Sequence, residues 1–233
     1  MRVGAVKEVV RYPVKSMQGE HMESVEIHNH GAAGDHIFAW EMKDKPGDYL
    51  TIPKYPFLLD YEVHLNDEGE LKIQKDDLQL SSLQAKEAET HFTERAGVPV
   101  SLVSMDVENE EPSYWEEPLL IATTASLKKV KELTDRDQLD MLRFRPNLIL
   151  DVDGDTPFLE ESWIGKELIM NDVVLHIKKA CERCSYVNVD SETKEVDPNV
   201  LKTVVKENKN VFGVYATVKK TGIVRVGDTI EIK

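Results

Sequence analysis

The sequence is poor in cysteine and has no long apolar run. Its 233 residues include only two cysteines, Cys181 and Cys184, which cannot build a disulfide framework. Apolar stretches such as Phe57–Leu59 are the size of core strands and fall far short of the ~20 residues of a membrane-spanning helix. Near the start, Lys7 and Glu8 interrupt any apolar region of a signal peptide. We therefore expect a cytoplasmic protein.

Positive charge is also scarce. The chain has 43 Asp and Glu residues against 29 Lys and Arg residues, and 43 − 29 leaves a formal net charge of −14. This charge repels nucleic-acid phosphates and anionic membranes at long range, so it disfavours both as partners. The sequence has neither a P-loop nor a G-x-G-x-x-G motif. With 41% hydrophobic and 31% charged residues, the composition is typical of a globular protein with one large domain or two small ones.

Short strands and turns dominate the first half of the chain. Val3–Val14 is rich in valine, and Ser24–His28 alternates polar and apolar residues as a half-buried strand does. Asn66–Gly69 is typical of a hairpin turn between two further strands. Ser82–Ala96 has helical spacing, and Gly97 follows it as a stop.

The second half adds more strands and a few short helices. An acidic connection at Asn109–Pro112 indicates a boundary between a domain of residues 1–110 and a domain of residues 111–233. Leu119–Ala122 is predicted to be a buried strand that leads into a helix capped near Ser126. The other predicted elements are helices at Asp137–Leu142 and Pro198–Lys206, and strands at Asn147–Val152, Lys166–Met170, Val173–Lys178, Tyr186–Val189, Phe212–Val218, Ile223–Val226 and Thr229–Ile232.

The C-x-x-C pair has four interpretations: half a zinc site, a redox dithiol, a thiolate for a metal cofactor, or two packed small residues. A structural zinc needs four ligands, and no second C-x-x-C is present. A redox dithiol favours a helix start, whereas Ser185–Val189 is predicted to be a strand. Arg183 lies between the two cysteines, and Lys178 and Lys179 precede them, so the segment would stabilise a thiolate.

Two weaker motifs favour plain structural explanations. His28, His30 and His36 could suggest a metal site, but the turn at Asn29–Gly31 favours exposed turn histidines. Asp151–Asp155 resembles the start of a calcium loop. Its glycine is at the fourth position instead of the sixth, and the twelfth position is a serine, so a polar turn fits better.

Three short segments concentrate positive charge in this acidic chain: Tyr12–Ser16, Arg143–Asn147 and Lys178–Arg183. Each alone is typical of a solvated loop. Together they would form an anion site, with guanidinium groups for a phosphate and an asparagine amide for the edge of a heterocycle.

These segments, in this order, resemble the MOSC family, whose domain is found in molybdenum-cofactor sulfurases and amidoxime-reducing components. The resemblance covers nearly the whole chain. It is carried by Tyr12–Ser16, Gly34–Asp35, Tyr49–Thr51, Thr124–Leu127, Arg143–Asn147, Ser162–Gly165, Cys181–Cys184 with Val189–Asp190, and Phe212–Tyr215. It implies an α+β fold that is mostly β, with an antiparallel β-barrel MOSC domain, an N-terminal β-barrel-like part and a few peripheral helices.

The resemblance also implies a cofactor and the residues that hold it. The cofactor would be molybdenum bound through a molybdopterin dithiolene, and recombinant protein can be obtained without it. Cys184 would be the thiolate ligand of the metal and Cys181 would have no ligand role. The residues implied to bind the pterin and its phosphate are Lys15, Ser16, Ser126, Arg145, Asn147 and Tyr215. His36 replaces the arginine that relatives have after Gly-Asp, and it would be a weaker, pH-dependent partner for the phosphate.

Two functions follow from the resemblance. The first is a molybdenum-dependent oxidoreductase that reduces N-hydroxylated small molecules, with electrons from a separate flavin, iron-sulfur or haem protein. The second is a carrier that holds sulfur as a persulfide on a cysteine and delivers it to a metal cofactor or metal-sulfur cluster. Neither function involves nucleic acid or a membrane span.

Overall fold

The computed structural model describes residues 1–104, 116–134 and 139–233. The boundary segment Asn109–Pro112 lies outside these residues. The strands are β1 (Arg2–Arg11), β2 (Glu20–Met22), β3 (Ser24–His28), β4 (Gly31–Ala32), β5 (Phe38–Met42), β6 (Glu62–Leu65), β7 (Leu71–Lys75), β8 (Leu78–Ser81), β9 (Val100–Ser104), β10 (Leu119–Thr123), β11 (Leu148–Val152), β12 (Glu167–Met170), β13 (Val173–Glu182), β14 (Val211–Lys220), β15 (Gly222–Arg225) and β16 (Thr229–Ile232). The helices are α1 (Ala85–Ala96), α2 (Thr124–Thr134) and α3 (Pro198–Asn208).

The chain forms two compact units that are interleaved in sequence. The first comprises Met1–Arg11, His21–Ala33 and Glu116–Lys233, and the second comprises Tyr12–Glu20 and the described part of Gly34–Trp115. The expected division into 1–110 and 111–233 follows continuous segments and stays a prediction. The compact units are discontinuous because β1 and β3 pair with strands from the C-terminal half.

The first unit is built on a closed barrel of seven strands, which confirms the predicted fold class. Its order is β11-β10-β14-β13-β12-β16-β1, and β1 pairs with β11 to close the barrel. Neighbouring strands are antiparallel except β10 and β11, which are parallel. Alternating side chains of these strands point inward, so Val6, Leu150 and Leu175 belong to one buried apolar cluster.

The second unit has its own apolar core. Strands β5 and β9 form one antiparallel pair, and β6, β7 and β8 form a three-stranded meander. Helix α1 packs Phe92 against Trp40, with ring centroids 4.2 Å apart. Each large side chain buried in this way contributes roughly 1.5–3 kcal/mol.

Local signals predicted several elements well. The strand Ser24–His28 has the observed bounds, and the hairpin around Asn66–Gly69 joins β6 to β7. Helix α1 ends at Ala96, and Gly97 caps it with a φ of 69°. The predicted helix at Asp137–Leu142 falls partly outside the described residues, and from Leu142 the chain forms a 3-10 turn that ends at Phe144.

One strand prediction near the cysteines was wrong. Ser185–Asn188 is a 3-10 turn, whereas Tyr186–Val189 was expected to be a strand. The turn closes through a hydrogen bond from the Val187 N–H to the Cys184 carbonyl, 3.2 Å long. Within the residues described, no helix is long and apolar enough to cross a membrane.

Candidate functional site

Cys184 lies at the surface of the first unit, just after the long barrel strand β13 ends. Its side chain is exposed, and its carbonyl accepts the first hydrogen bond of the 3-10 turn Ser185–Asn188. The backbone leaves the barrel at this point and turns sharply. The thiol is therefore presented at the rim of the barrel, where a ligand can reach it.

Cys181 is in a different environment only three residues earlier. It is 1% exposed, and its Sγ accepts a hydrogen bond from Nη1 of Arg183 at 2.7 Å. Since these are the two cysteines of the chain, Cys184 is the one whose sulfur is open to solvent. The two halves of the C-x-x-C pair have separate structural roles.

Arg183 ties the cysteine loop to two other segments. Its Nη2 donates to the Phe144 carbonyl at 2.7 Å, and its backbone N–H donates to the Asn210 carbonyl at 2.9 Å. The guanidinium carbon lies 5.7 Å from the centre of the Phe144 ring, which stacks on Phe212 at 3.8 Å. A planar, always-charged group with several donors suits this buried position.

Arg143 makes a second link between the same segments. Its Nη1 donates to the Val187 carbonyl at 3.1 Å, and its Nη2 lies 2.5 Å from Oδ2 of Asp190. Burial by itself raises the pKa of Asp190, but hydrogen bonds from the N–H groups of Thr193 and Glu192, and the charge of Arg143, bring the pKa below its ordinary value. The structure thus joins two of the three basic segments predicted from the sequence, Arg143–Asn147 and Lys178–Arg183.

Arg145 and Asn147 both lie in the buried turn that follows. Arg145 has a left-handed backbone, with φ 57°, and ends the 3-10 turn of Leu142–Phe144. The Asn147 amide bonds the main chain on both sides: Oδ1 accepts from the Leu120 N–H at 3.0 Å, and Nδ2 donates to the Val10 carbonyl at 3.4 Å. The Asn147 side chain therefore holds barrel strands together, a role that the sequence did not indicate.

Ser126 belongs to a buried polar cluster at the start of α2. Its Oγ lies 2.8 Å from Oε1 of Glu160 and 2.8 Å from Oγ1 of Thr123, and it accepts from the Phe158 N–H at 2.8 Å. The Glu160 carboxyl therefore lies against side chains at the N-terminus of α2, where negative charge is favoured. Ser126 thus has hydrogen-bond partners inside the protein, and its predicted contact with a cofactor stays a prediction.

Sequence reasoning missed Glu160 altogether. Its carboxyl is fully buried, and this burial raises its pKa, although hydrogen bonds from its own N–H, Ser126 and Thr123 act in the opposite direction. The only signal in the sequence was an acidic pair just before Trp163, and such a pair is ordinarily a solvated surface feature.

Tyr215 lies on β14 beside the cysteine end of β13. It pairs in register with Lys179, whose Nζ is 5.6 Å from the ring centre. Burial raises the pKa of the Tyr215 hydroxyl, and the nearby Cys181 sulfur raises it further. Lys178 makes an ion pair with Glu117 at 2.8 Å, so part of the predicted positive charge is neutralised.

The three remaining predicted residues are in the second unit. Lys15 places its Nζ 6.0 Å from the centre of the Tyr49 ring. Ser16 and His36 are buried, and both have left-handed backbones, with φ values of 67° and 50°. The His36 Nδ1 lies 2.6 Å from Oδ2 of Asp35, so the expectation of an exposed turn histidine is wrong for this residue.

The other weak motifs have structural explanations. His28 is exposed and packs edge-on against His30, with ring centroids 5.4 Å apart. Among the residues with described positions, no group of three or more His, Cys, Asp or Glu side chains could hold a metal ion. Asp151 accepts from the Thr124 hydroxyl and Asp155 pairs with Lys128, as expected for a polar turn.

Fold and site together define a class: a closed β-barrel domain that presents one open cysteine beside a turn anchored by buried arginines. The model of the MOSC domain matches residues 60–231, about three quarters of the chain. The protein therefore belongs to the MOSC domain family.

Similar proteins agree with this assignment. Human mitochondrial amidoxime reducing component 2 is 32% identical over 132 residues, covering 51% of this chain and 37% of that protein. Molybdenum cofactor sulfurase of Oryza sativa subsp. japonica is 24% identical over 268 residues, covering 90% of this chain and 32% of that protein. The chain thus spans about a third of the length of these curated relatives. The structure of the YUAD protein from Bacillus subtilis has a TM-score of 0.56 at 12% identity, covers 100% of this chain and 96% of that one, and supports the fold.

Proposed function

We propose that the protein binds a molybdenum cofactor through Cys184 and reduces N-hydroxylated compounds with electrons from a separate redox protein. The observation that carries the proposal is the difference between the two thiols: Cys184 is exposed at the barrel rim, whereas Cys181 is buried against Arg183. The names of the relatives, which include amidoxime reducing components and a molybdenum cofactor sulfurase, support the choice of metal and substrate class.

The Cys184 thiol is chemically suited to a molybdenum cofactor. A soft thiolate suits a metal that already carries sulfur ligands. In the proposed complex, the other ligands of the metal would come from the cofactor itself. We assign the pterin and its phosphate to Arg145 and Tyr215 in the first unit. The roles that the resemblance implies for Lys15, Ser16 and His36, which belong to the second unit, stay predictions. The roles implied for Ser126 and Asn147 also stay predictions, and the polar atoms of both side chains bond other parts of the protein.

The cofactor, when bound, supplies a metal that removes an oxygen atom from nitrogen. In balanced form, an amidoxime takes up two electrons and two protons and yields an amidine and water. The protein's own contribution is to hold the ligand in place. Arg143 anchors the 3-10 turn after Cys184, and Arg183, the residue before Cys184, is anchored to the Phe144 carbonyl. The backbone is thus held on both sides of Cys184.

The direct test is elemental analysis of protein made in a host that synthesises the cofactor. We expect about one molybdenum per chain in the wild type and near-complete loss in Cys184→Ser. Cys181→Ser is the matched control, because it removes the other sulfur, and it should keep most of the metal. Reduction of benzamidoxime by reduced viologen should follow the metal content. Equal molybdenum in both variants would reject the role of Cys184.

The same preparation separates the second candidate, a persulfide carrier. An exposed thiol with no bonded partner sulfur is also what a carrier requires. Metal-free wild-type protein with cyanide-labile sulfur that disappears in Cys184→Ser would favour the carrier over the reductase. Molybdenum with viologen-driven turnover would favour the reductase.

A further inference from the structure

Helix α3 is fastened at both ends to the segment that contains Cys184. At its start, the Asp197 N–H donates to the Asn188 carbonyl at 2.7 Å, and the Leu201 N–H donates to the Asn188 side chain at 2.9 Å. Just past its end, the Asn210 carbonyl accepts from the Arg183 N–H at 2.9 Å. Arg183 precedes Cys184 in the chain. This hydrogen bond therefore attaches the segment that follows α3 to the residue next to the exposed thiol.

The outer face of α3 carries a row of lysines. Val200 and Val204 are buried, whereas Lys202, Val205, Lys206 and Lys209 are exposed. Residues three, four and seven positions apart lie on one side of a helix, so these four form a continuous surface, which we call the lysine stripe. Val205 is 49% exposed and supplies an apolar contact in its middle.

The lysine stripe has a local charge opposite in sign to the net charge of the molecule. Residues 198–210 contain three lysines and one glutamate, and 3 − 1 gives +2, within a chain whose net charge is −14. Lys206 is 2.8 Å from its neighbour Glu207, but its side chain is 83% exposed, so this pair is weak. By contrast, Lys178 and Lys179 near the site both contact Glu117, which is buried.

We propose that the lysine stripe is the docking surface for a small acidic electron-donor protein. The inference rests on the proposed function, since it names the surface through which that site receives electrons. A local positive surface on an acidic protein attracts an acidic partner to one place and repels it elsewhere, which raises the rate of productive encounter. Asn210, which follows the last lysine of the stripe, accepts a hydrogen bond from the N–H of Arg183, the residue before Cys184. A donor bound at this end of the stripe is therefore brought toward the proposed metal ligand.

The test uses the full chain and a small acidic [2Fe–2S] ferredoxin as the probe. The stripe variant is Lys202→Glu, Lys206→Glu and Lys209→Glu. The matched control reverses the charge of three exposed lysines outside the stripe, through Lys72→Glu, Lys86→Glu and Lys219→Glu. Both variants therefore change the net charge of the protein by the same amount. At low salt we expect the stripe variant to accept electrons from ferredoxin about tenfold more slowly than the control, and to lose most of the salt dependence. Turnover with reduced viologen, a small donor, should be the same in all three proteins.

Ferredoxin binding is also measured by calorimetry, so the inference does not depend on turnover. Weaker binding by the stripe variant than by the control supports the docking surface even if no amidoxime is reduced. An absence of viologen-driven turnover would count against the proposed function alone. Equal ferredoxin binding by the stripe variant and the control would overturn the inference, as would stripe-dependent binding of anionic lipid vesicles or RNA with none of ferredoxin.

Discussion

At the scale of single residues, the structure assigns different accessibility to two sulfurs that the sequence presents as a pair. A thiol reagent such as DTNB should react with one thiol per folded chain, Cys184, and with two after denaturation. Burial of Cys181 against Arg183 shields the other sulfur. Cys184→Ser should leave no rapidly reacting thiol in the folded protein. Rapid reaction of two thiols in the folded wild type would contradict the assignment.

Glu160 gives a prediction about pH. Because burial raises its pKa, the folded chain holds a proton that the unfolded chain releases, and stability falls as pH rises from the ordinary glutamate pKa toward the folded one. Glu160→Gln removes this dependence of stability on pH. The free energy of unfolding of the wild type should therefore fall relative to that of the variant, by up to about 1.4 kcal/mol per pH unit over that window.

Urea unfolding between about pH 4 and pH 7 measures this difference. The control is Glu132→Gln, which alters an exposed carboxylate on α2, the helix whose start contacts Glu160. A difference in unfolding free energy between wild type and Glu160→Gln that is constant over the pH range would show that folding does not raise the pKa of Glu160.

At the scale of elements, the close approach of two barrel strands leaves room only for glycine at one point. Gly213 lies in β14 with φ +81°, and an added Cβ would be 2.7 Å from the Ile121 carbonyl oxygen on β10. Gly213→Ala should lower the free energy of unfolding by about 2–4 kcal/mol, through backbone strain and the clash together. Thermal or urea unfolding provides the measurement.

Gly154 is the matched control for this prediction. Its φ of +87° is similar, but nothing lies within 4 Å of the added Cβ. Gly154→Ala should cost only about 1 kcal/mol, the strain of the backbone alone. An equal loss of unfolding free energy in the two variants would mean that the close strand contact at Gly213 adds nothing to the cost of the substitution.

Elements with local signals were predictable, and elements set by distant contacts were not. Strand β3, the β6–β7 hairpin and helix α1 follow from alternation, a turn and a glycine stop within the segment itself. The turn at Ser185–Asn188 does not, because its shape depends on Arg143, 44 positions away, and on α3. Cys184 and the arginine segment could be singled out from the sequence, and their role in a binding site stays a prediction. Glu160 and the structural use of Asn147 were missed, since both depend on which side chains meet inside the fold.

At the scale of the whole molecule, the barrel is completed by the N-terminal strand. Strand β1 pairs with β11 on one side and with β16 on the other, and these pairings join residues far apart in sequence. Strand β3 likewise pairs with β15. Nothing in the sequence of β1 specifies these partners, so the sequence alone favours a division at residue 110, which stays a prediction.

The barrel therefore predicts how fragments behave. A fragment of residues 111–233 lacks β1, so two strand edges stay unpaired and the apolar cluster loses Val3, Val6 and Val9. We expect no cooperative thermal unfolding and poor amide dispersion in its NMR spectrum. Addition of a peptide spanning residues 1–11 should restore part of both signals, and a peptide with Val6→Asp and Val9→Asp should not, because it puts charges into the core. Cooperative unfolding of the isolated fragment would instead support the division at residue 110 and show that the barrel closes without β1.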